Sequence, residues 1–198
     1  MKPVERGEIL RIAEYETVRD PFRSRVIAEK KRRRVSIGPY VSCLFENHDT
    51  VLLQIQEMLR TERISREAAI VHEIETYNQL LGGENELGVT VMIEIPDNKE
   101  RDAFLVAAKG FERHVWLVVG GERIRAVWDP TRVLEDSASA VHYFKFPLPP
   151  AAAASLRAAA GGDATITQAQ LEIDHPAYHH RSPLPAETIV SLGEDLAE

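Results

Sequence analysis

The sequence predicts an α+β fold in which N-terminal helices and a helical hairpin pack on a mostly antiparallel, ferredoxin-like sheet with an extra strand. Three observations carry that expectation. Apolar residues recur at helical spacing up to about residue 83, the period then changes to alternation over Val89, Val91, Ile93 and Ile95, and two helices started by proline separate the later strands. From residue 84 the order is strand, helix, strand, strand, strand, helix, strand, which places two strand–helix–strand units around a hairpin. The 198 residues suit one domain, with 1–83 its mainly helical part and 84–198 its ferredoxin-like part.

Taken in chain order, residues 7–34 read as helix, interrupted near Asp20-Pro21 because proline lacks an N–H and the residue before it resists the helical region. The segment ends in Lys30-Lys31-Arg32-Arg33-Arg34, whose cations complement the negative end of the helix dipole. Gly38-Pro39 breaks the chain before a short strand at Val41–Phe45. Asn47, Asp49 and Thr50 offer caps for a helix to about Arg63, and Ser65 can cap a second that ends near Gly82-Gly83. Val51, Leu52, Ile55, Met58 and Leu59 form one apolar stripe; Ile70, Val71, Ile74, Tyr77 and Leu81 form the other, and the two pack against each other or against a sheet. Pro96-Asp97-Asn98 starts a helix to about Lys109, Gly120-Gly121 turns between strands at 114–119 and 123–128, and a strand at 140–146 follows. Pro149-Pro150 open an Ala-rich helix to about Ala160, and Thr165 to Ile173 form the last strand.

Composition narrows the function classes. The net charge, 24 − 31 = −7, divides into 11 − 6 = +5 over residues 1–40 and 13 − 25 = −12 over the rest. The positive excess comes chiefly from Lys30 to Arg34, which reads as a solvated helix end, a docking point for an acidic partner, or a phosphate contact. Little aromatic interleaving and an acidic remainder disfavour general nucleic-acid binding. The single Cys43 excludes an intramolecular disulfide and a cysteine-built zinc or iron–sulfur site, and it points to a reducing, cytoplasmic setting. No apolar run approaches the ~20 residues that span a bilayer. A phosphate loop, a dinucleotide fingerprint and a nucleophile elbow are absent, and His72-Glu73-Ile74-Glu75-Thr76 lacks the second histidine of a zinc-protease helix.

A few residues stand out chemically. With Val51 at 0° and 100° per residue, Glu62 falls at about 20°, inside the first apolar stripe. A carboxylate there is paired with an arginine, bound to a cation, or released by exposure of the helix end. Glu73 flanks the partner stripe and can join it, whereas Glu57 lies on the polar side within reach of Arg60. His142 alternates with Phe144 and Phe146, as a core histidine or as a ligand or base. Asp174–His180 reads as an ordinary surface loop, or as a helical turn begun by Pro176 that would put His175 and His179 on one face at a metal-ligand spacing. Imidazole with carboxylate suits iron, manganese or zinc. Cys43, between apolar neighbours, reads as core.

The segments Lys30–Gly38, Leu44–Asn47, Gln54–Ile64, Met92–Pro96, Ala140–Phe146 and Ile173–Tyr178 resemble an uncharacterised bacterial family of similar length. Its members are often encoded beside rubrerythrin and an iron–sulfur protein related to heterodisulfide reductase subunits. The resemblance implies a cytoplasmic accessory role in oxidative-stress, redox or iron metabolism, with those two proteins as partners. It also draws attention to Glu57, Arg60, Glu62, His142, His175 and Tyr178. Three readings follow: a non-haem metal-binding or redox-accessory protein whose site joins Glu62 to His142 or His175, an interaction module that docks through Lys30 to Arg34, and, third, nucleic-acid binding through the same run.

Overall fold

The computed structural model describes residues 1–161 and 168–197. The chain opens with helix α1 (Ile12–Arg32), strands β1 (Arg34–Ile37) and β2 (Val41–Phe45), and helices α2 (His48–Thr61) and α3 (Glu67–Asn78). It continues with β3 (Glu86–Ile93), α4 (Asn98–Ala107), a 3-10 turn at Phe111–His114, β4 (Val115–Val119) and β5 (Glu122–Arg125). Strand β6 (Val141–Pro147), α5 (Pro150–Ala160), β7 (Ala169–His175), β8 (Tyr178–Pro183) and α6 (Ala186–Ala197) complete it.

The α+β class stands, but the strands are divided between two four-stranded antiparallel sheets, β1-β2-β3-β6 and β5-β4-β7-β8, instead of lying in one ferredoxin-like sheet. The sheets join at their edges. On one side Val127 and Lys145 exchange backbone hydrogen bonds of 2.8 Å in each direction. On the other, Ser182 Oγ donates to Ser36 O at 2.6 Å and the Tyr178 hydroxyl donates to Ile37 O. The inward residues of both sheets, among them Val35, Cys43, Val91, Leu117, Leu171 and Phe144, share one core. Each such side chain contributes about 1.5–3 kcal/mol by leaving water.

Residue type explains the local choices. Asn47 caps α2 by accepting from Thr50 N at 3.0 Å, while Thr50 Oγ1 accepts from Asn47 N. The two predicted stripes meet each other: Val51, Ile55 and Leu59 form a second core with Ile70, Ile74 and Leu81. Helix α1 runs through Pro21 without the expected break. Ties to α2 hold it on both sides of that residue, from Arg19 to Glu57 and from Arg25 to Asp49. Gly193 lets α6 approach α5 closely, since a Cβ there would lie 2.1 Å from Leu156 O. The predicted start of the last strand at Thr165 lies outside the described residues. Strand β8 and helix α6 follow beyond the last predicted strand.

Candidate functional site

The residues singled out in the sequence do not converge. Glu62 is an exposed residue at the C-cap of α2, so its place in the apolar stripe falls where the helix has already ended. Glu57 is half-buried and accepts from Tyr15 Oη at 2.7 Å and from both Arg19 Nε and Nη2 at 2.8 Å. That arginine holds its carboxyl below the usual range. Arg60 pairs with Glu16 at 2.6 Å instead of with Glu57, and Glu73 is half-buried on α3.

The 174–180 segment forms a hairpin in place of the helical turn, pairing Asp174 with His179 and His175 with Tyr178. Strand alternation therefore turns His179 outward and His175 inward, and the two share no face. Both ring nitrogens of His175 are occupied: Nδ1 accepts from Ala177 N at 3.1 Å, which leaves Nε2 to donate to Lys109 O at 3.0 Å. Tyr178 is buried and accepts from Tyr40 N at 3.0 Å while its own hydroxyl bonds β1, a stitching role. Among the described residues no group of three His, Cys, Asp or Glu side chains is placed to hold a metal ion.

The basic run is also broken up. Arg33 is fully buried: Nε donates to Phe45 O at 2.9 Å, Nη1 to Ser191 Oγ at 2.6 Å, and Nη2 to Glu46 O at 3.2 Å and to Asp195. Arg32 pairs with Glu29 and Glu194, and Arg34 with Glu94. Lys31 is exposed and Lys30 half-buried.

His142 does face a cavity. Strand β6 lies at the edge of its sheet, the 3-10 turn at Phe111–His114 passes beside it, and the segment 127–139 covers both. Between them is a cavity of about 180 Å³, lined by Glu112, His142, Trp128, Asp129, Arg132 and Leu134 among others. A second pocket, of about 140 Å³, shares Trp128, Asp129, Arg132, Tyr143 and Phe144 with it and reaches Lys145. The His142 ring stacks on Phe144 at 5.4 Å and lies 5.1 Å from Phe111. Burial pushes its pKa down, against the Glu112 charge and the Ser139 carbonyl, so the imidazole is neutral at neutral pH. Nε2 is buried and has no hydrogen-bond partner.

Glu112 is 3% exposed, and its Oε1 also lacks a hydrogen bond. The Arg113 Nε lies 3.5 Å away, within ion-pair range, yet that side chain is 66% exposed and spends its charge largely in water. Sequence reasoning missed Glu112, which sits in a short turn without periodicity. The only local sign was a carboxylate directly after the apolar Phe111. It also missed the outer face of the second sheet, where Asp174 accepts from Trp116 Nε1 at 3.1 Å, contacts His114 Nδ1 at 3.0 Å and binds Arg123. Burial alone would raise the Asp174 carboxyl, but hydrogen bonds from Arg123, Trp116 and His114 outweigh it and hold the pKa at about 2. Arg123 also lies 3.8 Å above the Trp116 ring and bonds Glu172, completing a structural ion network.

The comparisons agree with this architecture. A crystal structure of a novel protein of unknown function from Burkholderia pseudomallei K96243 is 34% identical, covers 98% of this chain and 100% of its own, and superposes with a TM-score of 0.89. No curated protein matches. The DUF3501 family, described as a protein of unknown function, matches residues 3–196, and this chain belongs to that family.

Proposed function

We propose that the protein is a binding module that takes a small ligand into the cavity between β6, the Phe111–His114 turn and the 127–139 segment. One observation carries this reading: Glu112 and His142, which line one cavity with Trp128 and Phe144, each hold a buried polar atom without a hydrogen bond, Oε1 and Nε2. Buried polar groups are ordinarily paired, and leaving one unpaired costs roughly 1–3 kcal/mol, more for a charge. A ligand that pairs both recovers that cost. Concave sites with an apolar lining and a few convergent polar groups are the usual form of a small-molecule site.

Iron, manganese or zinc is the alternative occupant, supporting the metal or redox-accessory role that the family resemblance implies beside rubrerythrin or an iron–sulfur protein. His142 and Glu112 supply fitting donor types, but two protein donors leave most of a coordination shell to water or to another ligand. Docking of an acidic partner or of nucleic acid through the basic run would rest on Lys30 and Lys31, because Arg33 is buried and Arg32 and Arg34 are ion-paired.

A ligand-observed NMR screen of small fragments against the wild type and a cavity-filling Ser137→Trp variant tests the cavity. We expect fragments that bind the wild type and are lost from the variant. Fragments that bind both proteins equally, or a wild type that binds none at millimolar concentration, would refute the reading.

A further inference from the structure

We propose that the occupant of this cavity is a small organic cation, a primary ammonium or guanidinium group carrying a short apolar tail. The inference rests on the binding-module reading above and names the ligand's chemistry. Glu112 is 3% exposed and its Oε1 accepts no hydrogen bond, so that oxygen lacks a donor. The nearby Arg113 belongs mostly to solvent. His142, which lines the same cavity, holds a second unpaired polar atom, Nε2, an acceptor when the ring carries its proton on Nδ1. A buried carboxylate calls for a group rich in N–H donors, and charge-assisted hydrogen bonds are the strong ones.

The balance of charge agrees. Asp129 and Arg132, which also line the cavity 3.7 Å apart, are about half exposed, so Glu112 is the buried carboxylate of the lining. Aromatic faces favour cations as well, and Arg132 already places its guanidinium 5.4 Å from the Tyr143 ring. The adjoining pocket lined by Val127, Trp128 and Tyr143 gives a tail somewhere to go, and Val127, Val133, Leu134, Val141 and Tyr143 are all exposed around it. Such a contiguous apolar patch beside a cavity marks a binding surface. A transition metal is the poorer fit because the cavity brings it one imidazole and one buried carboxylate, where structural and catalytic sites bring three or four protein donors.

The test is a calorimetric titration of the full chain at neutral pH with phenethylammonium and with its neutral counterpart 2-phenylethanol, repeated with Mn(II) and Zn(II). We expect the ammonium to bind about tenfold or more tightly than the alcohol, and Glu112→Gln to abolish that preference. His142→Phe, which retains the ring stacking, should weaken the ammonium with less effect on the alcohol. Equal binding of the two organic probes would overturn the cation inference and leave the cavity reading intact. Binding of neither probe, together with a fragment screen that Ser137→Trp does not change, would overturn both. Saturable metal binding lost in both variants, without ammonium binding, would make this a metal site and overturn the inference. If Glu112→Gln fails to fold by circular dichroism, the ammonium-to-alcohol ratio of the wild type decides.

Discussion

Replacing Arg33 with methionine keeps the aliphatic stem and removes a guanidinium that makes four buried hydrogen bonds, to Phe45 O, Ser191, Glu46 O and Asp195. Two of these acceptors are main-chain carbonyls with no freedom to turn toward water, and the Asp195 side chain is 9% exposed. Removing one partner of a buried ion pair typically costs about 3–5 kcal/mol, because the other is left uncompensated. For a chain of this length that corresponds to a fall in melting temperature of roughly 10 °C, at about 2–4 °C per kcal/mol. Urea unfolding followed by circular dichroism measures it, with Lys31→Ala as the exposed control, expected within about 0.5 kcal/mol of the wild type. Pairing Arg33→Met with Asp195→Leu should cost less than the sum of the two single changes by about 1 kcal/mol or more. If Arg33→Met behaves like Lys31→Ala, the guanidinium is not the structural centre described above. Reversing all five charges of the basic run would likewise unfold the protein before it tested docking.

Gly193→Ala should destabilise by about 1–3 kcal/mol in thermal unfolding, although alanine is the better helix former, because its Cβ would meet Leu156 O at 2.1 Å; an increase in stability would show that α5 and α6 separate freely. Pro21→Ala should stabilise by about 1–2 kcal/mol, restoring an N–H inside α1 after the lost rigidity of the unfolded chain is subtracted. A loss of stability would mean that the proline is needed where it stands. Asp174 has a folded pKa of about 2 against an ordinary 3.8, so its contribution is present above the ordinary value and is lost as the pH falls through the folded one. With solvent screening that amounts to about 1 kcal/mol between pH 4 and 2, and Asp174→Asn should flatten the stability profile in that window. An unchanged profile would contradict the assigned network.

Much of the architecture was legible because it is local. The cap at Asn47, the two stripes of the helical hairpin and the alternation from Val89 to Ile95 each declare themselves within a few residues. The division into two sheets did not, since a run of alternating strands fits either arrangement and only the edge contacts of Val127 with Lys145 and of Ser182 with Ser36 distinguish them. Arg33 was hidden for a related reason: five consecutive cations look solvated until partners 158 and 162 residues away are known. The periodicity that placed Glu62 in the apolar stripe assumed a further half-turn of helix that does not form. Half of the candidate site was visible in His142, through its alternation with aromatic residues. The other half, Glu112, lies in a four-residue turn too short to display a burial pattern.

The link between Arg33 and α6 also sets the timing of folding during synthesis. Ser191 and Asp195 are translated 158 and 162 residues after the arginine they receive. At cellular elongation rates that is a delay of about 10–30 s. Throughout it Arg33 has Glu29, 3.8 Å from its Nη1, as a neighbouring carboxylate but lacks the Ser191 and Asp195 partners. Burying the arginine in the first sheet is therefore less favourable before α6 is present than in the finished fold. A chain terminated before Ser191 should be less stable and more protease-sensitive than one that carries α6, which limited proteolysis measures.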